Sequence, residues 1–264
     1  MDLELNGKVA MVAAASKGIG RAVAESLARE GCRVSICSRS KESLDQARAA
    51  LEREANGASV LSAVCDLSKA ADLEAWFRKT IEAFGRVDIL VTNAGGPPAA
   101  KFEDLTEAQW ADGIDGTLLN VIRLSKLVLP GMRERRWGRI VHLTSFVAKQ
   151  PMDLLTVSST LRAGLSALTK TMANQVAADN VLVNAVLPGH VATGRQVELN
   201  EIRAKQAGIP VEEYAARSSA GIPLKRPAQP RELGDVVAFL CSERASYVSG
   251  VSLQVDGSLV AGTF

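Results

Sequence analysis

Histidine and tyrosine are nearly missing from this chain, with two of each in 264 residues. The histidines, His142 and His190, lie far apart, and the four cysteines (Cys32, Cys37, Cys65, Cys241) show no Cys-x-x-Cys spacing. No metal site is expected, because bound zinc and its relatives need several His, Cys or carboxylate donors at set spacings. Cysteines scattered in this way read as reduced, buried small hydrophobes. An excess of one charge is lacking too: 31 basic and 29 acidic residues are mixed along the sequence, for a net charge of +2. Nucleic-acid and membrane-surface proteins concentrate basic charge, so neither partner is expected. No uninterrupted apolar run approaches the ~18 residues of a membrane-spanning helix. The opening residues Met1 to Lys8 show no basic segment leading into an apolar stretch, so no secretory signal is expected and the expected setting is cytoplasmic.

What is present is a core and a rhythm. Hydrophobic residues make up 47% of the chain, enough for one substantial core, and α/β folds of this length are often one domain. Short apolar runs at 9–13, 33–37, 60–65, 87–91, 139–143, 181–186 and 251–257 read as strands. Amphipathic stretches at 21–30, 43–53, 72–84, 111–135 and 158–178 read as helices, with Gly31 ending the first. Strands separated by helices of this length imply βαβ units, a parallel sheet and helices on both faces. No repeat, linker or low-complexity tract interrupts the pattern. Residues 194–226 break it: they are polar, carry Gly194, Gly208, Pro210 and Pro223, and show only short helical patterns. In an α/β domain such a stretch is expected to be a substrate lid.

Between the first strand and first helix lies Ala14-Ala15-Ser16-Lys17-Gly18-Ile19-Gly20. Glycines at 18 and 20 let backbone approach a pyrophosphate, and the helix N-terminus supplies N–H donors and a positive dipole. The second strand ends Ile36-Cys37-Ser38-Arg39, with no acidic residue to accept from a ribose 2′-hydroxyl. Lys17, Ser38 and Arg39 instead suit a 2′-phosphate, so NADP is the expected cofactor.

Further along, the chain reads Gly138-Arg-Ile-Val-His-Leu-Thr-Ser145, then Ser158-Ser-Thr-Leu-Arg162, then Pro188-Gly189-His-Val-Ala-Thr193. With the glycine loop, these segments resemble the short-chain dehydrogenase/reductase family over essentially the whole chain, and in particular its 3-oxoacyl-acyl-carrier-protein reductases. The resemblance implies a single doubly wound Rossmann domain over residues 1–264, acting on a small-molecule carbonyl or alcohol. It also implies further cofactor contacts: Asp66 and Leu67 after the third strand, Asn93, Ala94 and Gly95 after the fourth, and Pro188, Gly189, Val191 and Thr193 beside the nicotinamide. Family members pair through two helices, here about 100–135 and 158–178. Leu161, Leu165, Leu168 and Met172 give the second of these more apolar surface than one face needs, so a homodimer or homotetramer is expected.

The family's catalytic tetrad is Asn, Ser, Tyr and Lys. Here the matching positions read Thr117, Ser145, Ser158 and Arg162, and Ser145 alone agrees with the pattern. A phenol, with a pKa of about 10, can be tuned towards neutrality by a nearby cation, whereas an aliphatic hydroxyl is a far weaker acid. Ser158 also falls short of where a phenolic oxygen would sit. Arg162 keeps the positive charge and offers a planar donor fork to ribose oxygens in place of a compact ammonium. Tyr214, Lys149 and Asp153 are further proton-donor candidates. Three functions stay open: an NADP-dependent oxidoreductase with an atypical proton-transfer site, an NADPH-binding regulatory protein, and a non-redox lyase or isomerase using the Ser145, Ser158 and Arg162 pocket.

Overall fold

Parallel strands at the centre of a sheet are covered on both faces and carry no polar side, and this chain supplies them. The computed structural model describes residues 1–54 and 59–263. Its strands are β1 (Val9–Val12), β2 (Arg33–Ser38), β3 (Val60–Val64), β4 (Ile89–Thr92), β5 (Gly138–Leu143), β6 (Val181–Pro188) and β7 (Ser252–Val255). They form one sheet in the order β3-β2-β1-β4-β5-β6-β7, every pair parallel. All residues of β1, β4, β5 and β6 are buried, whereas the edge strands β3 and β7 are only partly so.

The helices are α1 (Gly18–Arg29), α2 (Lys41–Glu54), α3 (Ala70–Phe84), α4 (Glu107–Gly113), α5 (Asn120–Glu134), α6 (Thr156–Val176), α7 (Gly194–Ala207), α8 (Val211–Gly221) and α9 (Pro230–Cys241). Leu27 of α1, Leu44 and Leu51 of α2 and Leu233 and Val237 of α9 pack on one face of the sheet. Trp76 of α3, Leu124 and Val128 of α5 and Val176 of α6 pack on the other. The sheet is thus doubly wound as expected, and the strand order reverses direction between β1 and β4. Ligands of such folds bind in the crevice outside the strand ends at that switch point.

Three departures from the sequence reading bear on the site. The stretch expected as one helix over 111–135 is α4, a π-helical turn at Ile114–Leu119 and α5. The polar stretch after residue 194 holds two full helices, α7 and α8, where only short patterns were expected. Helix α9 was not anticipated at all, although Pro230 at its first position and the reciprocal capping of Gln229 and Glu232 mark its start. It lies directly on α1: a Cβ on Gly234 would sit 2.6 Å from the Ala22 carbonyl oxygen. Beside that contact the Ser26 hydroxyl donates to Asp235 Oδ1 at 2.9 Å.

The apolar surplus expected on α6 is also smaller than it looked. Leu161 and Leu165 are buried and Leu168 is half-buried. Met172 packs against the core, so the outward face carries Ala163, Gly164 and Ala167 instead. All four cysteines are free and buried. Among the described residues, no helix is long and apolar enough to cross a membrane.

Candidate active site

A cleft of about 1620 Å³ opens along the carboxyl ends of β1, β2, β4, β5 and β6. Of the residues singled out in the sequence, Ser16, Lys17, Gly18, Ile19, Ser38, Arg39, Asp66, Leu67, Asn93, Ala94, Gly95, Thr117, Ser145, Ser158, Arg162, Pro188, Gly189, Val191 and Thr193 all line it. Gly20 does not, and its role is closer packing: a Cβ there would lie 2.5 Å from the Ala14 carbonyl oxygen and 2.6 Å from Asn93 Nδ2. That same Asn93 amide donates to the Ala14 carbonyl at 3.3 Å, tying the end of β4 to the glycine loop. The loop turns through the left-handed region at Gly18 (φ +61°) and, unusually for a residue with a Cβ, at Ala14 (φ +48°).

The residues of this loop suit a dinucleotide. Lys17 caps α1 without offering a side-chain acceptor, and α1 has no acidic residue in its first turn, so its N–H groups point unscreened at the cleft. Lys17 and Arg39 are exposed and form no ion pair among the described residues. Across from them, Asp66 accepts from the backbone N–H and the hydroxyl of Ser68, at 3.1 and 2.8 Å. Those bonds hold its carboxyl below the usual carboxylate range.

At the other end, β5 delivers Leu143, Thr144 and Ser145 to the cleft, and α6 delivers Ser158 and Arg162 one turn apart. Arg162 Nε donates to Ser158 Oγ at 3.1 Å, while Nη1 donates to the carbonyls of Leu143 (3.3 Å) and Thr144. The guanidinium is therefore clamped to the end of the strand that carries Ser145, and its Nη2 has no hydrogen-bond partner among the described residues. Burial, and secondarily the charge of Arg195, pushes its pKa down to about 10, which leaves it charged near neutrality. Ser158 Oγ accepts from Arg162, and Ser145 Oγ accepts from the Val147 N–H at 3.4 Å. Each hydroxyl keeps its own proton free to donate. Two O–H donors beside a buried cation have the chemistry a developing oxyanion needs.

Thr117 is buried within the π-helical turn, whose extra residue brings it to the cleft wall. Asn120 follows it, its amide donating to the Gly116 carbonyl at 2.7 Å and its Oδ1 buried without a partner. Tyr214, Lys149 and Asp153 are absent from the cleft lining; Lys149 instead donates to Gln254 Oε1 on β7 at 3.0 Å. Below Ser145, His142 is fully buried in β5. Thr169 gives its hydroxyl proton to Leu165 at 2.8 Å, so it accepts from His142 Nδ1 at 2.9 Å. Burial pushes the His142 pKa down to about 4, and the ring is neutral near neutrality.

Sequence reasoning expected a lid here but named none of the α7 side chains that line the cleft. Arg195 pairs with Glu198 at 2.9 Å and donates to the Pro97 carbonyl at 3.0 Å, strapping α7 to the loop after β4. Arg203 and His190 also line the cleft. His190 packs against Phe146, with ring centroids 5.8 Å apart, and its Nδ1 lies 3.1 Å from the Ser218 hydroxyl. Burial, then the charge of Arg203, lowers its pKa.

A family model described as enoyl-(acyl carrier protein) reductase matches residues 13–259. Dehydrogenase/reductase SDR family member 4 of Oryctolagus cuniculus is 35% identical over 254 residues, covering 96% of this chain and 94% of that protein. The 3-oxoacyl-[acyl-carrier-protein] reductase of Vibrio cholerae is 34% identical over 257 residues, 97% of this chain and 99% of the other. Among solved structures, the L-sorbose reductase of Gluconobacter frateurii, complexed with NADPH and L-sorbose, superposes with a TM-score of 0.94. It is 32% identical and covers 99% of this chain and 100% of its own.

Proposed function

This chain belongs to the short-chain dehydrogenase/reductase family, and from that premise we propose that it is an NADP(H)-dependent oxidoreductase that interconverts a carbonyl compound and its alcohol. The observation that carries this reading is the clamp of Arg162 between Ser158 and the end of β5, beside Ser145. When bound, the cofactor supplies a hydride and its two electrons to the carbonyl carbon. Ser145 and Ser158 donate hydrogen bonds to the carbonyl oxygen and hold the negative charge that grows there. Arg162 orients Ser158 and adds a fixed positive charge behind it. An unperturbed aliphatic hydroxyl is too weak an acid to surrender its proton outright, so Ser158 passes it on only as it regains one from water at the open cleft.

Cofactor choice rests on Lys17, Ser38 and Arg39, two cations that form no ion pair among the described residues and a hydroxyl where an NAD-specific site would carry a carboxylate. Residues 194–226 act as the lid, with the Arg195 strap holding α7 against the loop after β4 on the substrate side of the cleft. Two copies, or four, pair through α5 and α6, where the small outward residues Ala163, Gly164 and Ala167 of α6 allow close approach; a monomer by light scattering at micromolar concentration would refute the pairing.

The test follows NADPH oxidation across a panel of ketones and aldehydes. Turnover that falls about 100-fold or more in Ser145→Ala supports the reading. Tight NADPH binding with no oxidation by any carbonyl would favour the regulatory alternative. Turnover of a ligand that leaves NADPH unconsumed would favour the lyase or isomerase.

A further inference from the structure

We propose that the substrate carries an oxyanion, a carboxylate or a phosphate ester, and that Arg203 binds it; this rests on the oxidoreductase reading above. Arg203 is 9% exposed and lines the cleft. Among the described residues its one polar contact is the Met152 sulfur, 4.0 Å from Nη2, and it forms no ion pair. The other arginines deep in the cleft are engaged, Arg162 by Ser158 and β5, Arg195 by Glu198 and Pro97. A charge taken out of water without a counter-charge is unfavourable, and proteins pair such groups or reserve them for a ligand.

Place and surroundings both point to the substrate. Met152 belongs to the loop between Ser145 and Ser158, so Arg203 reaches the cleft on the reacting-carbonyl side and away from the glycine loop. The charge of Arg203 is felt at His190, which packs on Phe146 next to Ser145. Phe146, Leu155 and Leu199 supply apolar wall to the same cleft and cluster with Met152. The geometry describes a molecule with its carbonyl at Ser145 and Ser158, a short apolar body, and an anionic end at the guanidinium fork, which matches the oxygens of a carboxylate or phosphate.

Matched pairs test it: benzoylformate, acetoacetate and levulinate, each against its methyl ester, and dihydroxyacetone phosphate against dihydroxyacetone. Each is measured as kcat and KM for NADPH oxidation, and as calorimetric binding to the protein loaded with NADP⁺. At least one anion should bind roughly 10- to 100-fold better than its neutral partner, with the difference in KM. The carboxylate and phosphate arms identify which oxyanion is preferred. Arg203→Met should bring the ratio close to one, and Arg203→Lys should keep part of it. Because it removes an unpaired buried charge, Arg203→Met should unfold at the same or a higher temperature. Anion binding that depends on Arg203 without any reduction would uphold this proposal and defeat the oxidoreductase reading. Reduction of neutral and anionic partners alike would do the reverse. Failure of every anion to bind, or an anion preference that survives Arg203→Met, would overturn it, as would a lowered unfolding temperature with that preference intact.

Discussion

At the β1–β2 end of the cleft the glycine loop offers mainly backbone N–H groups, whereas the β5–α6 end offers the side chains of Ser145, Ser158 and Arg162. The glycine loop and the N-terminus of α1 present N–H groups that any residue carries, so an alanine at position 14 changes the turn without removing a donor. In the proposed reaction, serine at 158 and arginine at 162 change which atoms would meet the substrate and how acidic they are. One end of the cleft therefore absorbs substitution as a small conformational cost, while the other registers it as altered chemistry. Deviation from a family pattern means different things at the two ends.

The sharpest way to break that contrast is to restore the family pattern at the catalytic end alone. Thr117→Asn with Ser158→Tyr and Arg162→Lys should raise reduction of an activated ketone by about 10² to 10⁴-fold, the usual worth of general acid catalysis. Steady-state kcat/KM decides it; an unchanged or lower rate would mean that the native hydroxyl pair already supplies what the tyrosine would.

A second effect lies under the same end of the cleft. His142 has a folded-state pKa of about 4 against an ordinary value of 6.5, so it stays neutral in the fold while the unfolded chain takes up a proton. Its contribution is complete above pH ~6.5 and is lost as pH falls towards 4, up to about 3 kcal/mol. Thermal unfolding across that window should steepen its decline in the wild type and flatten in His142→Gln. Equal slopes would rule out His142 as the source.

At the nucleotide end, Arg39→Ala should weaken NADPH binding by about tenfold and leave NADH little changed, which calorimetry reads directly. Undiminished NADPH affinity would remove Arg39 from the 2′-phosphate site. The smallest change expected is in Ala14→Gly. Relief of the left-handed alanine should stabilise the fold by about 1 kcal/mol while cofactor affinity holds. A loss of stability in urea titration would show that the alanine methyl packs better than its backbone strains.

The same contrast explains what was legible from sequence. The strands and the glycine loop could be read because burial on both faces writes a continuous apolar run, and a loop that needs glycine names it. The extra residue of the π-helical turn leaves no mark, since one added residue only shifts the phase of a helical pattern. Arg195 and Arg203 were hidden for a related reason. Residues 194–226 were recognised as polar, but which arginines face the cleft depends on how α7 is rotated against the sheet. On the neighbouring α8, Arg217 instead pairs with Glu213 at the exposed surface. Helix α9 was legible in principle, through Pro230 and the Gln229–Glu232 pairing, but prolines 223, 227 and 230 obscured its start.

The seat of α9 on α1 has a consequence for how the chain matures on the ribosome. Gly234 rests against the backbone of α1, and Ser26 reaches Asp235 across 209 positions of sequence. Helix α1 therefore keeps one flank uncovered until α9, some two hundred residues later, has been synthesised. The glycine-loop end of the cleft, though encoded early, thus lacks one of its covering helices until α9 has followed every strand but β7.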